Sequence, residues 1–158
     1  MSGISDLRKR LEATRFRDLE GMMETYAQAA SELARSQFKR TLDFTPDSIE
    51  SLDEILVQVG ESPDADIEFE VRLWGSYLGE VLRRRYAGVW EMTTYPGAPQ
   101  QMDEKTGTSS AVPAVEVRGS RLFPMIKVFR RLTMGEEDDL PSFVTMVLER
   151  LGKPAQVN

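Results

Sequence analysis

The sequence predicts an α+β domain: long N-terminal helices, a small antiparallel β meander at about 89–123, and two C-terminal helices. Three observations predict it. Apolar residues recur at three- and four-residue steps as far as Tyr86. β-branched and aromatic residues then cluster in "VWEMTTY" (89–95) and "AVPAVEVRGSRLF" (111–123). Helical spacing returns after Pro124. The chain has 158 residues, 41% of them hydrophobic and 29% charged, which fits one soluble domain with a substantial core.

Residues 5–13 read as a short helix started by Ser5. A long helix over roughly 16–40 follows, with Phe16, Leu19, Met23, Tyr26, Ala30 and Leu33 on one face. "LDF" (42–44) is a short extended connector. In "TPDSIESLDEILVQVG" Thr45 is the expected N-cap, Pro46 the first helical residue and Gly60 the C-terminal cap. The next helix runs from Asp64 or Asp66 to Tyr86, and Gly88 breaks it. Its wheel places Ile67, Val71, Trp74, Leu78, Val81 and Leu82 on one side, with Arg72, Ser76, Glu80 and Arg83 opposite.

Two strands follow, around 89–95 and at Val115 and Val117, and Gly119-Ser120 turns the chain into a short third. "PGAPQQMDEKTGTSS" (96–110) lacks apolar anchors and is expected to be a mobile loop. Pro124 opens a helix with Met125, Val128, Phe129 and Leu132 inward, closed by Gly135. Asp139 caps the last helix, Gly152 ends it, and the tail over 153–158 is expected to fray.

Composition excludes several chemistries. With no Cys and no His there is no disulfide, thiol nucleophile, Ser-His-Asp triad or His-ligated metal. Acid–base work would fall to carboxylates, Lys, Tyr or Arg. A formal charge of -6 argues against non-specific nucleic-acid binding and is compatible with a basic protein partner. The charged N-terminus has no apolar signal segment, and no stretch is apolar enough to span a membrane. The expected location is cytoplasmic.

"WGSYLGEVLRRRYAGVW" (74–90) holds both tryptophans, two glycines four apart and three consecutive arginines. Each glycine inside a helix costs about 1 kcal/mol relative to alanine, so close packing is the expected reason for Gly75 and Gly79. Glu80 precedes Arg84 by one helical turn. The simpler expectation is a solvated pair contributing about 0.3–0.5 kcal/mol. The sharper one is a polar pocket in which Tyr77, Glu80, Arg84 and Trp90 are the binding candidates. Asp64 and Asp66 in "DADIEFE" suit helix capping better than metal binding, since the calcium-loop glycine and glutamate are missing. No metal, cofactor or catalytic residue is assigned.

Three blocks, "LDFTPDSIESLDEIL" (42–56), "WGSYLGEVLRRRYAGVW" (74–90) and "VEVRGSRLFPMIKVFRRLTMG" (115–135), resemble a group of small bacterial domains of unknown function. That group shares a Leu-Asp-x-Ser/Thr-x-x-Ser block, a Tyr-Leu-Gly-Glu block ending in Gly-x-Trp, and a late Pro-led helix. The resemblance implies an α+β domain with no established catalytic residue. It places Asp43, Ser48, Asp53, Gly79, Glu80 and Trp90 in matching blocks.

The expected function is that of a non-enzymatic interaction or accessory protein with a protein partner, toxin neutralisation being one case. The alternative is a small-ligand-binding domain or a carboxylate-dependent hydrolase centred on Glu80. Oligomeric state is not fixed by these features.

Overall fold

α4, Ile67–Tyr86, runs through the middle of the molecule, with helices and the central strand of the sheet packed on it. The computed structural model describes residues 3–94 and 111–155. The expected loop over 96–110 and the last residues, 156–158, lie outside them. The remaining helices are α1 (Gly3–Ala13), α2 (Leu19–Leu33), α3 (Ile49–Glu61), α5 (Pro124–Met134) and α6 (Leu140–Leu151). Between α4 and α5 lies an antiparallel sheet in the order β1 (Val89–Thr94), β2 (Ala111–Val117), β3 (Ser120–Leu122). Trp90 pairs with Val115, and Val115 with Leu122. The fold class is therefore the expected α+β.

The helix ends follow local chemistry. Asp66 caps α4 by accepting from the Phe69 N–H, and Asp139 caps α6 by accepting from the Ser142 N–H. α4 ends when Ala87 turns left-handed (φ 53°), and the Gly88 N–H donates back to the Arg83 carbonyl. Gly88 is needed for contact: a Cβ there would come within 2.9 Å of the Glu116 carbonyl oxygen on β2.

Several expected boundaries are corrected. The long helix over 16–40 begins only at Leu19, where Asp18 caps it, and its α-helical part ends at Leu33. A π-helical turn, Ala34–Phe38, continues it until Lys39 turns left-handed. Thr45 holds the expected cap position with Pro46 next, but its side chain makes no cap bond, and Pro46–Ser48 form a 3-10 turn before α3. Gly60 lies inside α3, beside the Leu132 carbonyl, and Ser62 takes the cap position. Phe129 is exposed, while Arg131 turns inward instead. The Ala155 N–H donates to the Arg85 carbonyl, and Lys153 accepts from Arg118, so residues 153–155 are tied to the body.

The core fills both sides of α4. Leu73, Trp74, Tyr77 and Leu78 pack with Tyr26, Leu52 and Ile55. Leu82, Tyr86 and Trp90 pack with Val115, Val117 and Met125. The side expected to be polar is buried too: Ser76 and Glu80 are both 0% exposed. Ser76 survives there by donating to the Arg72 carbonyl at 2.6 Å, within its own helix.

Candidate functional site

The glycine pair on α4 makes room for two neighbours. A Cβ on Gly75 would lie 3.0–3.1 Å from Met125 of α5. A Cβ on Gly79 would overlap the Trp90 ring at 2.1 Å and touch Pro124 at 3.0 Å. Close packing is thus the reason for both glycines, and Gly79 lets the Trp90 indole of β1 lie flush against the helix.

Laid across Gly79, Trp90 donates its indole N–H to Glu80 Oε2 at 2.8 Å. Arg83 approaches the same carboxylate with Nε at 2.5 Å from Oε2 and Nη2 at 2.9 Å from Oε1. Arg84 adds a bond from Nε to Oε1 at 3.0 Å. Two donors on each oxygen fill the four acceptor directions of a carboxylate. The expectation of an exposed Glu80–Arg84 pair is therefore wrong: the pair forms, but its acid is sealed. The physical reason is that α2 and the Trp90 side chain cover the side of α4 that a helical wheel leaves to solvent.

Burial pushes the Glu80 carboxyl up, but the bonds and charge of Arg83, with the bonds from Trp90 and Arg84, outweigh it. The group is held below its ordinary value and stays ionised at neutral pH. Arg83 also reaches Glu20 at 3.2 Å and Glu24 at 3.1 Å, which ties α4 to α2.

Arg84 lies 3.8 Å over the Phe44 ring, and that ring packs edge-on against Tyr77 with centroids 4.8 Å apart. The Tyr77 hydroxyl accepts from the Phe44 N–H at 2.7 Å and bonds Ser48 Oγ at 2.6 Å. These bonds hold Phe44 in a left-handed backbone (φ 66°), uncommon for an aromatic residue. Burial raises the Tyr77 hydroxyl against the opposing bonds of Ser48 and Phe44, so it stays protonated at neutral pH. Tyr77, Arg84, Glu80 and Trp90 are thus brought together as a chain of contacts through Phe44, with Tyr77 at the far end from Glu80.

The other residues of the three blocks also serve internal contacts. Asp43 accepts from the Thr45 N–H and hydroxyl. Asp53 accepts from Arg131 Nε at 2.8 Å and from the Leu140 N–H at 3.0 Å, pinning α3 to α5 and α6. This Asp53–Arg131 pair, with Arg131 buried, has no local sequence signal.

A second buried carboxylate was also missed. Glu70 is 4% exposed and accepts the Trp74 indole N–H on Oε2 at 2.7 Å. Its spacing of one helical turn was visible, but its burial was not. Burial raises its carboxyl, the Trp74 bond opposes the rise, and the charge of Asp66 adds to it. Glu70 lines a cavity of about 400 Å³ between α1, α3 and the start of α4. Among the described residues, no cluster of three or more acidic side chains is placed to hold a metal ion.

Compared with protein families, curated proteins and solved structures, the chain matches none. No helix among the described residues is long and apolar enough to cross a membrane.

Proposed function

We propose that this protein acts by binding, as a non-enzymatic interaction or accessory protein with a protein partner. One observation carries the reading. Glu80, the carboxylate expected to carry any chemistry, has both oxygens filled by Arg83, Arg84 and Trp90. A general acid or base needs a free lone pair or proton within reach of substrate. Glu80 offers neither, so its role is to clamp β1 to α4 and α4 to α2. The formal charge of -6 favours a basic partner.

The test is a panel of ester, phosphate and glycoside substrates with purified protein, beside capture of partners from native lysate at low and high salt. The expected result is no saturable turnover, and one salt-sensitive partner recovered near equal stoichiometry. Saturable hydrolysis that disappears in a Glu80→Asp variant with an unchanged melt would overturn the reading. A second reading, small-ligand binding, is favoured by the cavity beside Glu70 and moves that role away from Glu80.

A further inference from the structure

The ionisable carboxyl of Glu70 has no structural explanation in its own contacts. Its role toward Trp74 is to accept one hydrogen bond, at 2.7 Å. A glutamine carbonyl would accept that bond equally well without burying a charge. Burying an ionised carboxylate with one neutral donor is costly, and buried charges are ordinarily paired. No described residue donates to Glu70 Oε1. That oxygen is also not among the sealed, unbonded polar atoms, of which Arg85 Nε is the one found among the described residues. Oε1 is therefore not sealed, and Glu70 is one of the residues that line the cavity.

The cavity supplies what an unpaired carboxylate needs. About 400 Å³ lies within the range of small-ligand sites. Leu33, Phe38, Val59 and Phe69 give it an apolar and aromatic wall. Arg8 is its one cationic lining residue, and it is already engaged by Glu12 and Asp66. Asp66 is likewise occupied, by Arg8 and by capping Phe69. Asp64, the other lining carboxylate, is exposed, and Glu70 is left as a buried carboxyl without a cationic partner among the described residues, beside space with an apolar wall.

We propose that this cavity binds a small organic cation, a primary ammonium bearing an apolar tail, with Glu70 as its counter-charge. The ammonium donates to Oε1, and the tail lies along Phe38, Val59 and Phe69. An anion is repelled by Glu70, and a neutral alcohol of equal size leaves the carboxylate uncompensated. This inference rests on the small-ligand reading and is independent of the protein-partner reading.

The chain has two tryptophans, so an amide-correlation NMR spectrum of ¹⁵N-labelled protein shows two indole N–H signals. Trp74 donates to Glu70, and Trp90 to the sealed Glu80. Hexylammonium chloride is titrated into the intact protein at neutral pH, with hexanol and hexanoate as neutral and anionic controls. A Trp74→Phe spectrum assigns the two signals. The expected result is a saturable shift of the Trp74 indole signal with hexylammonium alone, the Trp90 signal staying in place.

Glu70→Gln keeps the acceptor and should weaken hexylammonium binding by about tenfold or more, the loss of one charge-assisted bond. An unmoved Trp74 signal at every concentration overturns the proposal. An equal shift with hexanol also overturns it, while leaving a neutral-ligand cavity and so sparing the ligand reading. Unchanged affinity in a folded Glu70→Gln protein overturns it as well. If that variant does not fold, the indole titration of the parent decides alone.

Discussion

α4 carries two buried glutamates, each bonded to a tryptophan indole, and the two are in opposite states. Glu80 receives Trp90 at 2.8 Å and three arginine bonds, and is held below its ordinary value. Glu70 receives Trp74 at 2.7 Å and no cationic donor among the described residues, and is raised above its ordinary value. Residue type, helix and partner type are shared, so the surroundings make the difference. Two guanidiniums turn one burial into a clamp, and the lack of a cationic donor leaves the other an unpaired buried carboxyl. A buried carboxylate thus signals a candidate binding site only when its own chain leaves it unsatisfied.

The largest effect expected from this comparison is at Glu80. Glu80→Gln leaves Arg83 and Arg84 under-compensated, and should cost on the order of 3 kcal/mol in a denaturant melt. Arg83 keeps Glu20 and Glu24 as partners, which places the cost at the lower end for buried pairs. A cost near zero would show that the clamp adds nothing.

Gly79→Ala comes next. Alanine gains helix propensity, but its Cβ would overlap the Trp90 ring at 2.1 Å. The ring must move and weaken its bond to Glu80, so the variant should lose about 1–3 kcal/mol despite the propensity gain. A stabilised variant in a thermal melt would remove the packing account of the glycine pair.

Trp74→Phe then separates the two pairs. It takes the one donor that Glu70 has among the described residues and should cost about 1–2 kcal/mol from that unmade bond. The same change at Trp90 leaves Glu80 with its three arginine bonds, so the hydrogen-bond share of its cost is smaller. Paired urea melts measure the difference, and a larger loss at Trp90 would reverse the ranking.

The smallest effect is in pH. Glu80 is lowered, so its contribution is present above the ordinary value of 4.5 and is lost as pH falls through the lower folded value. Glu70 is raised, so its contribution is complete below 4.5 and is lost as pH rises through the higher folded value. The gap between parent and Glu80→Gln should therefore close in acid. The gap between parent and Glu70→Gln should shift in favour of the variant as pH rises above that value. Melts across pH 3–7 compare the two curves, and parallel curves would contradict the assignment.

Much of this fold is legible in the sequence where one residue carries the signal. Asp66 and Asp139 mark the starts of α4 and α6, and the turn at Gly119 separates β2 from β3. The glycine pair announces close packing, since two glycines in one turn of helix need a reason. What a wheel cannot show is a helix covered on both sides. α2, α5 and β2 all pack on α4, so its polar stripe, Ser76 and Glu80, is interior. A polar stripe ordinarily means solvent, and here it means internal bonds.

Asp53 and Arg131 pair across 78 residues, and nothing local links them. The candidate set Tyr77, Glu80, Arg84 and Trp90 is gathered in space as the helical spacing suggests, yet its bonds are spent on the fold. The burial of Glu70 is not legible because its sequence context, "DADIEFE", reads as an ordinary acidic helix start.

The central claim is that the two glutamates are in opposite electrostatic states. Stability of Glu80→Gln and Glu70→Gln, measured side by side in urea at neutral pH, tests it most directly. The account predicts opposite signs: Glu80→Gln loses stability, while Glu70→Gln is unchanged or gains up to about 1 kcal/mol as a buried charge is removed. A Glu70→Gln protein that falls as far as Glu80→Gln, or a Glu80→Gln protein as stable as the parent, would contradict it.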